Sequence, residues 1–247
     1  MSPDEMLYDQ LSTITTRFAN LRASLEDENV DADATLTLLL HFDSELASWE
    51  SSLPASWACR AVPCSPDDKF YGTFHYVHPS YWNATVWSEY CAIRMLVSDL
   101  LLTYLDRAIS FSTDGDTTKY RMYQCNTLRT LQRVCTDVCA SAPYFLGRVN
   151  ESPMLNLSLG GYHVLYSLLV CACMSQISDS QRLWATNQLE SIGRDMGIHL
   201  ALLLSDLMRN KAYLAHHGHD SAKLVENLAL YEHIRKGIFT MEGFMLR

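Results

Sequence analysis

The side chains best able to move protons or hold an oxygen atom fall in a few short stretches of this chain. His75, His78 and Tyr81 lie just before and at the start of a long apolar segment, and Arg94 sits inside it. Tyr162 and His163 follow Gly160-Gly161, while Arg194, Asp195 and His199 surround Gly197. Imidazole changes charge near neutral pH and can serve as a general acid or base, and a tyrosine hydroxyl can orient a carbonyl or phenol. His75, His78, Tyr81, Arg94 and His163 are therefore the candidate catalytic residues if the chain is an enzyme. Trp82, Trp87, Tyr90 and Met95 interleave with them, and together with Tyr162 and Arg194 they have the composition of an apolar ligand pocket with a few polar contacts. Taken singly, each polar group also reads as a satisfied core residue.

Other chemistries lack their residues. Cys135 and Cys139 stand four apart in a leucine- and valine-rich pattern, and Cys171 and Cys173 project to different sides of a helix, so neither pair has zinc-ligand spacing. His216-His217-Gly218-His219 is histidine-dense, but it reads as an inter-helix loop with only Asp220 beside it. No metal and no cofactor are expected. A Gly-x-Ser-x-Gly elbow is absent, Gly160-Gly161 lacks the lysine and hydroxyl residue of a phosphate loop, and Asp67-Asp68 lacks the third acid of a magnesium diphosphate site.

The elements that must position these groups read as helices throughout. Pro3 and the acids after it suit a first turn, and Leu7, Leu11, Ile14, Phe18, Leu21 and Leu25 recur at helical steps. A second helix begins near Asp31, carries Leu36, Leu39, Asp43 and Leu46, and stops before Pro54. The acidic run Glu26-Asp27-Glu28 joins the two as a solvated connector. Residues 53–75 hold Pro54, Pro63, Pro66 and Gly72 and read as one long irregular loop, able to lie over a pocket or to serve only as a surface crossover. Pro79 and Ser80 then open a helix through Leu105, with Trp82, Val86, Tyr90, Ile93, Val97, Leu100 and Tyr104 inward and Thr85, Ser88, Ala92, Asp99, Thr103 and Asp106 outward. Arg94 falls among Trp87, Cys91, Ser98 and Leu101, so its guanidinium must be paired or reach a ligand.

A fourth helix carries Tyr123, Thr127, Leu131, Val134 and Val138 on one face, has Arg121, Arg129 and Arg133 on the other, and ends at Ala142-Pro143-Tyr144. Gly160-Gly161 opens a fifth, apolar on nearly every side. A sixth runs from Asp179 to Met196 with Leu183, Trp184, Leu189 and Ile192 inward, and Gly193 and Gly197 allow close backbone approach. Ile198 to Arg209 and Ala222 to Lys236 are again amphipathic, and no segment reads as a strand.

Composition sets the class. Apolar residues are 48% and charged residues 19% of the 247, the balance of a folded chain with a large core. The net charge is −9 and the 19 basic residues are scattered, which argues against direct nucleic-acid binding. The longest apolar run, Val164 to Met174, is too short to cross a membrane. Cysteines inside helical patterns and a polar, amphipathic N-terminus predict a reduced intracellular compartment, cytoplasmic or nuclear, where the sequons at Asn83 and Asn156 carry no meaning.

Several segments together resemble the regulatory region that follows the zinc cluster in fungal Zn2Cys6 transcription factors. They are Leu46-Ala47-Ser48-Trp49-Glu50 with Leu53-Pro54 and Trp57, Tyr76 to Leu102, Ser141 to Gly147, Gly160-Gly161-Tyr162, and Ile192 to Ile198, in that order. The resemblance implies a helical domain that senses metabolites for an attached DNA-binding apparatus. The zinc cluster and its basic linker are missing from this sequence, no cysteine preceding Cys59, which predicts a fragment of a regulator or a stand-alone relative.

The expectation is therefore an all-α protein: one large helical bundle spanning 1–247, of about eight helices, as a single body or as two packed halves. Its expected role is to bind a small hydrophobic metabolite in a regulatory capacity, with a protein partner or a second copy as a further contact. The alternative is a cofactor-independent cyclase or isomerase of fungal secondary metabolism that uses proton transfer.

Overall fold

The computed structural model describes residues 2–25, 31–65, 70–111, 117–149 and 157–217. Among them are helices α1 (Pro3–Ser24), α2 (Ala32–Ser51), α3 (Tyr81–Phe111), α4 (Thr118–Phe145), α5 (Leu157–Cys173), α6 (Asp179–Met196) and α7 (His199–His217). The fold is all-α apart from one small ribbon. The amphipathic segment Ala222 to Lys236, the connector acids Glu26 to Glu28, and Asp67-Asp68 lie outside the described residues.

Local sequence explains the helix starts. Ser2 caps α1 by accepting from the Glu5 amide at 3.2 Å while the Glu5 carboxylate accepts from the Ser2 amide at 2.6 Å, a reciprocal capping box with Pro3 at the first helical position. Asp31 caps α2, and Ser178 caps α6. Gly197, at φ +74°, closes α6 in the left-handed conformation that only glycine adopts freely.

α3 is the central element. It packs against α1, α2, α4 and α5, and a run of consecutive residues from Tyr90 to Ser98 is buried. This enclosure overturns the N-terminal half of the outward stripe read from its sequence, while Thr103 and Asp106 are exposed as expected. Thr85, Ser88 and Ala92 are buried; the Thr85 hydroxyl bonds back to the Tyr81 carbonyl at 3.0 Å, and Ser88 Oγ meets Ser167 Oγ of α5 at 2.8 Å. The same periodicity misplaces Trp82, which is 45% exposed and lies against Tyr8 of α1. On α6, Leu189 and Ile192 point inward as expected, but Leu183 is exposed.

The stretch 53–75 is not one irregular loop. It contains a 3-10 turn (Ala55–Trp57) and an antiparallel ribbon of β1 (Arg60–Pro63) and β2 (Phe74–Val77), paired from Arg60 with Val77 to Pro63 with Phe74. The strands are four residues each, too short for an alternation to stand out between prolines, and β2 is held against α4. Two indoles tie this region and α2 to α1: Trp49 donates to the Leu7 carbonyl and Trp57 to the Asp4 carboxylate, each at 2.8 Å.

Two boundaries also moved. Pro143 lies inside α4, which continues to Phe145, and α5 begins three residues before Gly160. Gly161 is where α5 meets α6: a Cβ there would stand 2.5 Å from Met196 Sδ.

Candidate functional site

The groups selected from sequence go to several places. Arg94, 4% exposed, faces α2, where its Nη2 stands 3.0 Å from Asp43 Oδ1 and its Nη1 donates to the Asp43 carbonyl. The pairing is imperfect: Oδ1 accepts no well-aligned hydrogen bond, and Arg94 Nε has no acceptor. Burial raises the Asp43 carboxyl above its ordinary range, against the pull of the guanidinium. Arg94 thus finds within the protein the partner that its burial demands.

His78, Tyr81 and His163 are linked through rings rather than through polar atoms. His78 and Tyr81 both pack on Phe145, and Tyr81 meets His163 edge-on at 5.5 Å. His78 Nε2 is taken by Ser141 Oγ at 3.1 Å, and the Tyr81 hydroxyl donates to the Leu159 carbonyl at 3.3 Å. Burial pushes Tyr81 up to about 12 and lowers His163. His75 is buried beside Phe70, with Nδ1 3.8 Å from Cys64 Sγ. Met95 is fully buried, with Cys135 Sγ 3.4 Å from its sulfur.

The expectation of one buried polar set is corrected at its C-terminal end. Arg194, 71% exposed, pairs with Glu190 one turn earlier, and Asp195 and His199 are exposed as well. Tyr162 is 40% exposed. The helical period was right, but a helix end that turns back at Gly197 leaves its last turn in solvent. His216 and His217 fall on the last turn of α7 rather than in a loop, and His219 lies outside the described residues. Among the described residues no three His, Cys, Asp or Glu side chains gather to hold a metal ion, and no helix is long and apolar enough to cross a membrane.

A cleft of about 560 Å³ opens instead between the ribbon, α3 and α4. Phe74 and Tyr76 reach it from β2, Trp87 from α3, and Gln132, Arg133, Thr136 and Asp137 from α4, with Cys59 at the edge. Strand alternation puts Phe74 and Tyr76 on one side, their rings 5.3 Å apart, and sends His75 to the other. Trp87 is the outer end of an aromatic stack that runs inward through Tyr90, at 5.0 Å, to Trp49, a further 5.0 Å. Its indole N–H, a donor only, is buried without an acceptor, at a cost of about 1–3 kcal/mol.

Beside the aromatic wall is a charged cluster. Arg133 engages Glu50 end-on, with Nη1 to Oε1 and Nη2 to Oε2 both at 2.8 Å, and Nη1 also donates to Asp137 Oδ2 at 3.1 Å. Tyr76 donates to the other Asp137 oxygen at 3.0 Å, and Tyr90 donates to Glu50 Oε2 at 2.7 Å. Burial lowers the Arg133 pKa, but the Glu50 and Asp137 carboxylates outweigh it and keep the guanidinium charged. Burial pushes Asp137 up to about 6, against the pull of Arg133 and Tyr76. Trp87 and Tyr90 were visible from sequence; Asp137, Glu50 and Tyr76 were not singled out. The i,i+4 spacing of Arg133 and Asp137 was the available signal, whereas Glu50 comes from a different helix.

The buried titratable groups set opposing pH dependences. Burial lowers His78 from 6.5 to about 4, so its stabilising contribution is complete above 6.5 and is lost as pH falls towards 4, by about 3 kcal/mol. Asp137, raised from 3.8 to about 6, acts in reverse: its contribution is complete below 3.8 and is lost as pH rises through 6, by a similar amount, about 3 kcal/mol. Denaturant melts from neutrality to pH 4 are expected to show His78→Asn gaining stability relative to the parent and Asp137→Asn losing it. Parallel curves for parent and variants would remove both assignments.

Comparison with family models, with curated proteins and with solved structures finds no match to this chain. The cleft's own chemistry is what remains to read.

Proposed function

We propose that this chain is a ligand-binding helical domain, similar in role to the regulatory region of fungal Zn2Cys6 factors, that seats one small, largely apolar metabolite in the cleft between the ribbon, α3 and α4. The supporting observation is the cleft itself. Its volume suits a metabolite, its walls are the aromatic faces of Phe74, Tyr76 and Trp87, and its polar groups are confined to one side. The cluster of Glu50, Arg133 and Asp137 is held by its own ion pairs, so binding would cost little side-chain ordering. Occupancy would be felt by three elements at once, which suits a domain that reports a ligand to a protein partner or a second copy. The scattered basic residues give no support to direct nucleic-acid contact.

The catalytic reading has less behind it. His75, His78, Tyr81, Arg94 and His163 do not line this cleft, and His78, Tyr81 and Arg94 bond to protein atoms.

The test is a thermal-shift and tryptophan-fluorescence titration against aromatic polyketides and terpenoids, with mass spectrometry of the recovered ligand. One saturable site is expected, weakened about ten-fold by Trp87→Leu, with the ligand recovered unchanged. Absence of saturable binding, or binding indifferent to Trp87→Leu, would overturn the site. Conversion of the ligand would overturn the non-catalytic role.

A further inference from the structure

Arg133 has more donors than the protein uses. A guanidinium carries five N–H groups in a plane. Two make hydrogen bonds, Nη2 to Glu50 and Nη1 to Asp137, and Nη1 also stands 2.8 Å from the other Glu50 oxygen. The Nε hydrogen and the outer Nη2 hydrogen have no acceptor among the described residues, and these two share one edge of the plane. The side chain is 44% exposed and lines the cleft.

Charge then decides which acceptor fits. One guanidinium faces two carboxylates, Glu50 and Asp137, so the cluster already carries one excess negative charge. The other cleft residues, Cys59, Phe74, Tyr76, Trp87, Gln132 and Thr136, bring no further cation. A carboxylate ligand would add a second excess negative charge beside Asp137, which is itself 6% exposed. A neutral oxygen would take the free edge without that repulsion.

Resting on the reading of the cleft as a binding site, we infer that its ligand is a neutral, flat aromatic molecule bearing a carbonyl oxygen, which accepts from the Nε–Nη2 edge of Arg133 while its ring lies against Trp87, Phe74 and Tyr76. The cleft selects such a ketone or lactone over the corresponding acid. The oxygen fixes orientation and the aromatic wall supplies most of the contact area. A hydrocarbon of the same shape would enter without being held in register.

The experiment uses three matched probes, naphthalene, 2-acetylnaphthalene and 2-naphthoate, titrated into the full chain with calorimetric or fluorescence readout. 2-Acetylnaphthalene is expected to bind about ten-fold tighter than naphthalene and at least as far above 2-naphthoate. Arg133→Lys, which keeps the charge but removes the planar edge, should bring the ketone down to the level of naphthalene. Asp137→Asn, which cancels the excess charge, should raise 2-naphthoate by about ten-fold relative to the ketone. Circular dichroism of each variant separates lost binding from lost folding, and the wild-type ranking decides the matter even if neither variant folds. Equal binding of all three probes, or a preference for 2-naphthoate, overturns the ligand class while sparing the cleft. Failure of all three to bind overturns both.

Discussion

Replacing Asp43 with alanine is expected to destabilise the protein by about 3 kcal/mol, more than replacing its partner Arg94 with methionine, which should cost about 1 kcal/mol. The asymmetry follows from where the two charges sit. Arg94 is 4% exposed, while the Asp43 side chain is 29% exposed. Removing the carboxylate strands a guanidinium deep between α2 and α3, with only the Asp43 main-chain oxygen still accepting from it. Removing the guanidinium leaves a carboxyl that water can reach and that burial already inclines towards protonation. Methionine fills much of the vacated space with apolar bulk. The double variant should therefore be more stable than Asp43→Ala alone, measured by urea denaturation at neutral pH. If Asp43→Ala and Arg94→Met prove equal, or if their costs simply add, the pair is not the buried charge anchor described here.

The second large effect concerns a single methyl group. Gly193→Ala is expected to cost about 2 kcal/mol, although alanine is the better helix former by about 1 kcal/mol. A Cβ at this position would lie 2.5 Å from Leu202 Cγ and 2.9 Å from the Leu202 main-chain nitrogen. The leucine side chain could rotate away, but the backbone contact can be relieved only by moving α7 off α6. Gly161→Ala is a milder comparison, because the 2.5 Å contact there is with Met196 Sδ, near the end of a flexible side chain. Thermal melts of the two variants should rank Gly193→Ala well below Gly161→Ala. A stabilised Gly193→Ala variant would mean that α6 and α7 are not held at this spacing.

The linear pattern made the helices legible because each is built from local terms. Caps at Ser2, Asp31 and Ser178 and apolar residues at helical steps act within a few residues of one another. α6 was readable to its termini for that reason. The ribbon was not, since Arg60 to Pro63 finds its partner across a proline-rich connection and has no period of its own. Exposure failed where the environment rather than the period decides it: Thr85 and Ser88 lie inside because α3 is surrounded, and Trp82 is 45% exposed beside Tyr8.

The same division runs through the candidate site. Burial of Arg94 followed from its apolar helical neighbours, and its need for a partner followed from the cost of an unpaired charge. That the partner is Asp43 depends on how α2 lies against α3. Sequence alone determined the helical class, the inward placing of Tyr90, Ile93 and Val97 and the close approach at Gly193, since these rest on residue type and spacing. Only the tertiary structure brought Tyr76, Trp87, Arg133 and Asp137 to one cleft and set Glu50 against its arginine, because charges and rings from α2, β2, α3 and α4 become neighbours only when those elements pack.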